Sequence, residues 1–248
     1  MPNLMGVSDV DAQKTLSNFE FSGKRIDKLG ATEYTLSSIQ VDVSGSVARF
    51  QGDLVKALES AVGACEKSPR AENMLIRVTT FNDAPPAEIH GFVPFEDVKT
   101  NDYGQYIKPM GGTALYDATM DALEATKKYG ESLVDMDYNC NGIVFIITDG
   151  EENSSVVGTP KKIKDLIEKV GKEEKLESLK TVLIGVGDQQ SVQQYLADFQ
   201  QKAGIDQYVW IGDASPAKLA KLAEFISKSI SSTSQALGTG GTSQDITF

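Results

Sequence analysis

Apolar and polar positions alternate through Leu36-Ser37-Ser38-Ile39-Gln40-Val41 and give way to Asp42-Val43-Ser44-Gly45-Ser46. That period-two run predicts a strand over residues 37–43 that feeds one carboxylate and two hydroxyls into the loop behind it. Phe50, Leu54, Ala57, Leu58, Ala61, Val62 and Cys65 then recur at helical spacing, which predicts a helix over 48–65 with one buried stripe. Residues 74–81 and 88–92 read as short strands split by the turn signal Asn82-Asp83-Ala84-Pro85-Pro86, and 95–110 as a loop. Leu115, Ala118, Ala122 and Ala125 mark a helix over 114–129, after which Asn141-Gly142 predicts a turn into a strand at 143–148. Pro160 opens a helix to about residue 170, since its missing N–H costs nothing in a first turn. Strands at 179–186 and 207–211 flank a helix at 192–202. Ser215-Pro216 caps a final helix through Ile230, with Leu219, Leu222 and Ile226 on one face.

Strands alternating with helices predict an α/β fold: a doubly wound, mostly parallel central sheet with helices on both faces, Rossmann-like in layout. The 248 residues suffice for one domain with tails. Phe19, Phe21, Ile26, Leu29 and Tyr34 suggest that residues 1–36 form an extension packed on a main domain at 37–232. The Gly/Ser/Thr-rich end predicts a flexible tail over 233–248.

Three loops concentrate the chemistry. Asp42, Ser44 and Ser46 follow the first strand of the main domain; Gly111-Gly112-Thr113 precedes a helix; Asp149 closes the apolar run Ile143 to Ile147 in Thr148-Asp149-Gly150. Two carboxylates and three hydroxyls are hard oxygen donors, suited to a small divalent cation and not to zinc or a covalent nucleophile. The two aspartates only balance a divalent charge, which leaves such an ion electrophilic toward an outside ligand.

In these segments the chain resembles a von Willebrand factor A domain with a metal-ion-dependent adhesion site, over roughly residues 37–232. Asp42, Ser44 and Ser46 match the family's DxSxS element, Thr113 its Gly-rich-loop threonine, and Asp149 its strand-closing aspartate. The resemblance implies that these five residues hold Mg2+, with Mn2+ or Ca2+ as substitutes. Ser44, Ser46 and Thr113 are the expected direct ligands, and the aspartates bind directly or through water. It also implies adjacent first and fourth strands of the family's order at the sheet's reversal point, and a partner protein whose Asp or Glu carboxylate completes the metal shell. Intracellular family members often work beside ring ATPase systems, which would make this chain an adaptor. Tyr103, Tyr106 and Tyr116 are candidates for the rim of the site or for packing, Asp117 for a hydrogen bond to the loop, and Glu151 and Glu152 for surface charges or for repelling wrong partners.

Composition narrows the partners. The formal net charge of −11 argues against nucleic acid and against an anionic membrane surface, and the lysines of 161–175 interleave with acids as on a solvated helix face. Cys65 and Cys140 show no pairing pattern and read as free thiols, with one disulfide left open. No basic-then-apolar leader opens the sequence, and no run approaches the ~20 apolar residues of a membrane span, so the expectation is a cytoplasmic protein. The lone His90 lacks neighbouring ligands for zinc and reads as a surface or half-buried histidine. Residues 135–139 resemble the start of a calcium loop but lack its later glycine and glutamate.

The leading expectation is a magnesium-dependent protein-binding module and no enzyme. Two alternatives stay open. One is a structural or self-assembling protein whose metal only stiffens loops. The other is a phosphohydrolase with Asp42 as nucleophile, although the second carboxylate such chemistry uses two residues on is here Ser44.

Overall fold

The computed structural model describes residues 10–13, 21–99, 103–173, 175–241 and 246–248. Its strands are β1 (Val10–Gln13), β2 (Phe21–Lys24), β3 (Glu33–Asp42), β4 (Met74–Phe81), β5 (Ala87–Pro94), β6 (Asn139–Thr148), β7 (Leu179–Gly185) and β8 (Gln207–Trp210). Its α-helices are α1 (Gln51–Glu66), α2 (Tyr103–Tyr106), α3 (Leu115–Val134), α4 (Pro160–Glu173), α5 (Gln190–Ala203) and α6 (Pro216–Thr239).

The strands of the described residues join in the order β1-β2-β5-β4-β3-β6-β7-β8. β3 runs parallel to both β4 and β6, and β7 and β8 continue the parallel set. β5 is antiparallel to β4, and β1 to β2. From β3 the chain winds outward to β4 on one side and to β6, β7 and β8 on the other. The carboxyl ends of β3 and β6 therefore border the crevice where strand order reverses, the place where open α/β sheets bind ligands.

Each sheet face buries one helical layer. Ile39 and Val41 of β3 pack with Leu54, Leu58 and Val62 of α1 and Leu219, Leu222 and Ile226 of α6. Val144 and Ile146 of β6 pack on the other face with Leu123 of α3 and Leu196 and Phe199 of α5. Each such aliphatic side chain contributes about 1.5–3 kcal/mol of burial. On α4 the expected solvated face is present, with Lys172 paired to Glu168 and Lys169 to Glu173.

The structure revises several expectations. β3 starts at Glu33, inside the stretch assigned to the N-terminal extension, because Tyr34 and Leu36 are buried with Phe21 and Phe92. β2 lies beside β5 at Gly23↔Phe92. Residues 1–9 and 14–20 of that extension, Phe19 included, are outside the described residues.

The turn expected at Asn141-Gly142 is instead the interior of β6. Asn141 accepts a hydrogen bond from Thr35 Oγ1 at 2.7 Å and donates to Thr233 O at 2.9 Å. A Cβ on Gly142 would stand 2.8 Å from Thr126 Cγ2 and 2.9 Å from Leu179 Cδ1, so close packing, not turning, requires this glycine.

The last helix does not stop near Ile230. It runs to Thr239 with Thr233, Ser234 and Leu237 buried, residues that composition had assigned to a tail, and Gly240 closes it at φ 66°. Residues 242–245 lie outside the described set. The loop expected at 95–110 holds a 3-10 turn (Phe95–Asp97) and α2.

Cys65 and Cys140 are unpaired and buried, and burial pushes both thiols up, Cys65 to about 12. No helix among the described residues is long and apolar enough to cross a membrane.

Candidate metal centre

β3 and β6 end in register, Val41 opposite Ile147, so Asp42 comes level with Thr148. Thr148 Oγ1 donates to Asp42 Oδ2 at 2.6 Å, and Asp42 Oδ1 accepts the Ser44 N–H at 2.7 Å. These two bonds fix the carboxylate and fold the chain back into the 3-10 turn Gly45–Arg49. Ser44 Oγ lies 3.1 Å from Ser46 Oγ, and Ser46 Oγ donates to Asp149 Oδ1 at 2.6 Å. One continuous chain of oxygens thus runs from the first loop to the third.

The middle loop is tied in by its backbone. Met110 N–H donates to Val43 O at 2.8 Å and Gly45 N–H to Gly111 O at 3.1 Å. Gly111 has φ 74°, and a Cβ there would collide with the Asp83 carboxylate, so two separate reasons call for glycine. Thr113 Oγ1 would lie 3.3 Å from a Cβ on Gly150, which puts that hydroxyl beside the residue after Asp149. Asp42, Ser44, Thr113 and Asp149 are buried, whereas Ser46 is exposed. The structure therefore brings together all five residues singled out from the sequence.

Burial raises the Asp42 carboxyl to about 6, against the lowering effect of its Thr148 and Ser44 bonds and with a further push from Asp149. Burial also raises Asp149, which Ser46 and Arg49 partly counter. Two desolvated carboxylates near one another favour a cation between them.

The donor set fits a hard ion that takes six oxygens at about 2.0–2.1 Å and keeps several waters. Among the described residues no three His, Cys, Asp or Glu side chains cluster as a metal cage would. The group is one of hydroxyls with few charges, which suits magnesium better than zinc.

Asn153 and Arg49 support the site without any expectation from the sequence, Glu152 departs from its expected role, and Asp117 makes the hydrogen bonds to a loop that the sequence suggested, to residues 156–158. Asn153 Oδ1 accepts the Thr113 N–H at 2.9 Å and Asn153 N–H donates to Thr113 O at 3.0 Å, a two-way brace. Glu152 is not a simple surface charge: it caps α3 by accepting the Tyr116 N–H at 3.0 Å, and it folds its own loop by accepting from Ser154 N–H at 2.7 Å and Ser155 N–H at 2.6 Å. Asp117 accepts from the N–H groups of Val156 at 2.8 Å, Val157 at 2.9 Å and Gly158. Arg49 Nη2 stands 3.5 Å from Asp149 Oδ2. In the sequence the run Glu151-Glu152-Asn153-Ser154-Ser155 is a generic polar stretch; the hydrogen bonds of Asn153 to Thr113 are what give it meaning.

The tyrosines divide. Tyr103 is fully buried, its hydroxyl 2.9 Å from His90 Nε2, so it belongs to the core and not to a rim. Tyr116 leans on Phe199 at 4.9 Å and bonds Tyr195 through their hydroxyls at 2.6 Å, which turns it toward α5. Tyr106 is 46% exposed; with Met110 at 64% and Val156 at 90% it adds apolar surface to the loops around the site.

No family model and no curated relative matches the chain. Solved structures do. A variant of the PilB minor pilin from Streptococcus sanguinis aligns with TM-score 0.59 and 13% identity over 88% of this chain and 66% of that one. The pilus adhesin SpaC from Lactobacillus rhamnosus GG aligns in one crystal form with TM-score 0.57 and 10% identity over 91% of this chain and 34% of that one. The vWF domain of the type V pili tip protein Mfa5 from Porphyromonas gingivalis aligns with TM-score 0.53 and 11% identity over 88% of this chain and 99% of that one. The chain thus spans just under two thirds of the pilin and about a third of the adhesin, but nearly all of the Mfa5 domain. At these identities the likeness is one of fold.

Proposed function

With a von Willebrand factor A fold as the premise, we propose that the chain is a magnesium-dependent protein-binding module that captures an Asp or Glu carboxylate of a partner. The observation that carries this reading is the lacing of three loops at the sheet's reversal point around two carboxylates and three hydroxyls. Ser44, Ser46 and Thr113 would ligate the ion directly, with Asp42 and Asp149 in its inner or water-bridged shell. When bound, the ion supplies an electrophilic position that seeks one more oxygen. Thr148 and the Ser44 amide hold Asp42 in place, and Asn153 holds Thr113, so the donors are set before any ligand arrives.

A binding role is favoured over catalysis because Ser44 occupies the position two residues after Asp42 where a phosphohydrolase would carry its second carboxylate. The expected setting is that of an adaptor or assembly component in the cytoplasm, beside a ring ATPase system for example; two buried unpaired cysteines accord with a reducing compartment.

Capture from host lysate on immobilised wild type with Mg2+, wild type with EDTA, and Thr113→Ala with Mg2+ tests the reading. A protein retained by the first bait alone supports it. Equal recovery on all three would sink it, and phosphatase turnover with Mg2+ would replace it by the enzyme.

A further inference from the structure

The candidate centre carries a cation of its own. Arg49 follows Ser46 by three residues in the 3-10 turn Gly45–Arg49, and at three residues per turn the two side chains leave on the same side. They meet the same carboxylate: Ser46 Oγ at 2.6 Å from Asp149 Oδ1, Arg49 Nη2 at 3.5 Å from Oδ2. Both oxygens of Asp149 are therefore engaged. The exposures differ sharply, with the Asp149 side chain 0% exposed and that of Arg49 49%. The acid is fixed in the site; the guanidinium lies at its mouth, its central carbon 5.7 Å from the Phe50 ring centroid, with a path to solvent.

We propose that Arg49 is a built-in competitor for the metal, balancing Asp149 when no ion is bound and giving way when a divalent cation takes that carboxylate. The inference rests on the metal-binding reading above. Its physical basis is that a buried carboxylate with no counter-charge is costly, so a metal-free site needs a substitute cation to keep the Asp149 loop in its binding geometry. At 3.5 Å the ion pair is long for a charge-assisted bond, and a half-exposed guanidinium recovers most of its hydration on leaving. The exchange is thus cheap in the direction of metal entry. It still lowers apparent metal affinity, because the ion must break the pair and then tolerate a neighbouring positive charge. With an effective dielectric near 20, discounted for exposure, this amounts to about tenfold in affinity.

The test uses the full chain as wild type, Arg49→Gln, and Lys56→Gln. Lys56 is 76% exposed and pairs with Asp53 on α1, so its replacement removes the same charge without touching Asp149. Calorimetric titration with Mn2+ is combined with thermal melting in EDTA. Arg49→Gln should bind Mn2+ about tenfold more tightly than wild type yet melt lower in EDTA, while Lys56→Gln changes neither. A residue that only braces the fold would move both readouts downward. Wild-type binding with equal or weaker affinity in Arg49→Gln overturns the competitor role and leaves the metal site standing. Binding by Arg49→Gln alone supports competition in its strongest form, and binding by neither overturns both readings together.

Discussion

Replacing Asp117 by alanine removes the anchor of the loop 151–158 and should weaken metal binding without touching any proposed ligand. The Asp117 carboxylate, in the first turn of α3, receives the amides of Val156 at 2.8 Å, Val157 at 2.9 Å and Gly158. A hydrogen bond to a charged acceptor nets about 1.5–3 kcal/mol, which gives an upper sum near 9 kcal/mol for three. Val156 is 90% exposed, so its amide and much of the released loop regain water, and the net loss falls to about 2–4 kcal/mol. The same loop carries Asn153, the brace on Thr113, so a melted loop must be reordered by the ion. At 1.4 kcal/mol per factor of ten, Mn2+ affinity should drop about 30-fold or more. Amide hydrogen exchange across 153–158 reports the local melting, and calorimetry reports the affinity. Unchanged exchange in that loop together with an Mn2+ Kd within twofold of wild type would refute the argument that this loop positions Thr113.

Arg77 is buried between Glu88 at 2.6 Å and Asp121 at 2.9 Å, so Arg77→Met strands two acids and should cost about 3–5 kcal/mol in urea unfolding, with Arg77→Met/Asp121→Leu recovering part of it. Gly111→Ala places a Cβ at φ 74° against the Asp83 carboxylate; it should weaken Mn2+ binding at least tenfold by shifting the Thr113 loop, read by the same titration. Burial holds His90 down to about 4 from 6.5, so the unfolded chain takes up a proton that the folded one refuses. Its contribution to stability is fully present above pH 6.5 and is lost as pH falls toward 4, by about 2–3 kcal/mol. Comparing wild type with His90→Gln in urea at pH 7 and pH 4.5 isolates that term, and parallel pH dependence in both would disprove it.

Tyr103 and Glu152 show where local reading stops. A tyrosine in a polar stretch carries no sign of whether it rims a site or fills a core; contact with His90 from β5 decides it. Two adjacent glutamates look equivalent in the sequence, yet Glu152 is the one that accepts the Tyr116 N–H at the start of α3, because the loop after β6 passes over that helix end. Asn141-Gly142 is a strong turn signal taken locally, but pairing of β6 with both β3 and β7 outweighs it, and the absent side chain makes room for Thr126 and Leu179. The Ser/Thr-rich end of α6 reads as tail by composition and becomes helix through packing, with Thr233 Oγ1 returning its hydroxyl to Ser229 O at 2.9 Å.

Taken alone, the sequence determined the alternation of strands and helices, the expected bounds of β4, and the three loops that carry oxygen donors. Those features are local: periodicity of two or 3.6 follows from backbone geometry, and the donors of two of the three loops directly follow an apolar run that periodicity marks as a strand. Tertiary structure alone decided that Asn153 braces Thr113, that the loop Asp117 holds is the one at 156–158, that Glu152 secures the start of α3, and that Arg49 faces Asp149. Each of these pairs joins residues 36 or more positions apart, or sets the charge balance of a buried acid, and no local pattern encodes a partner that arrives only when the sheet closes.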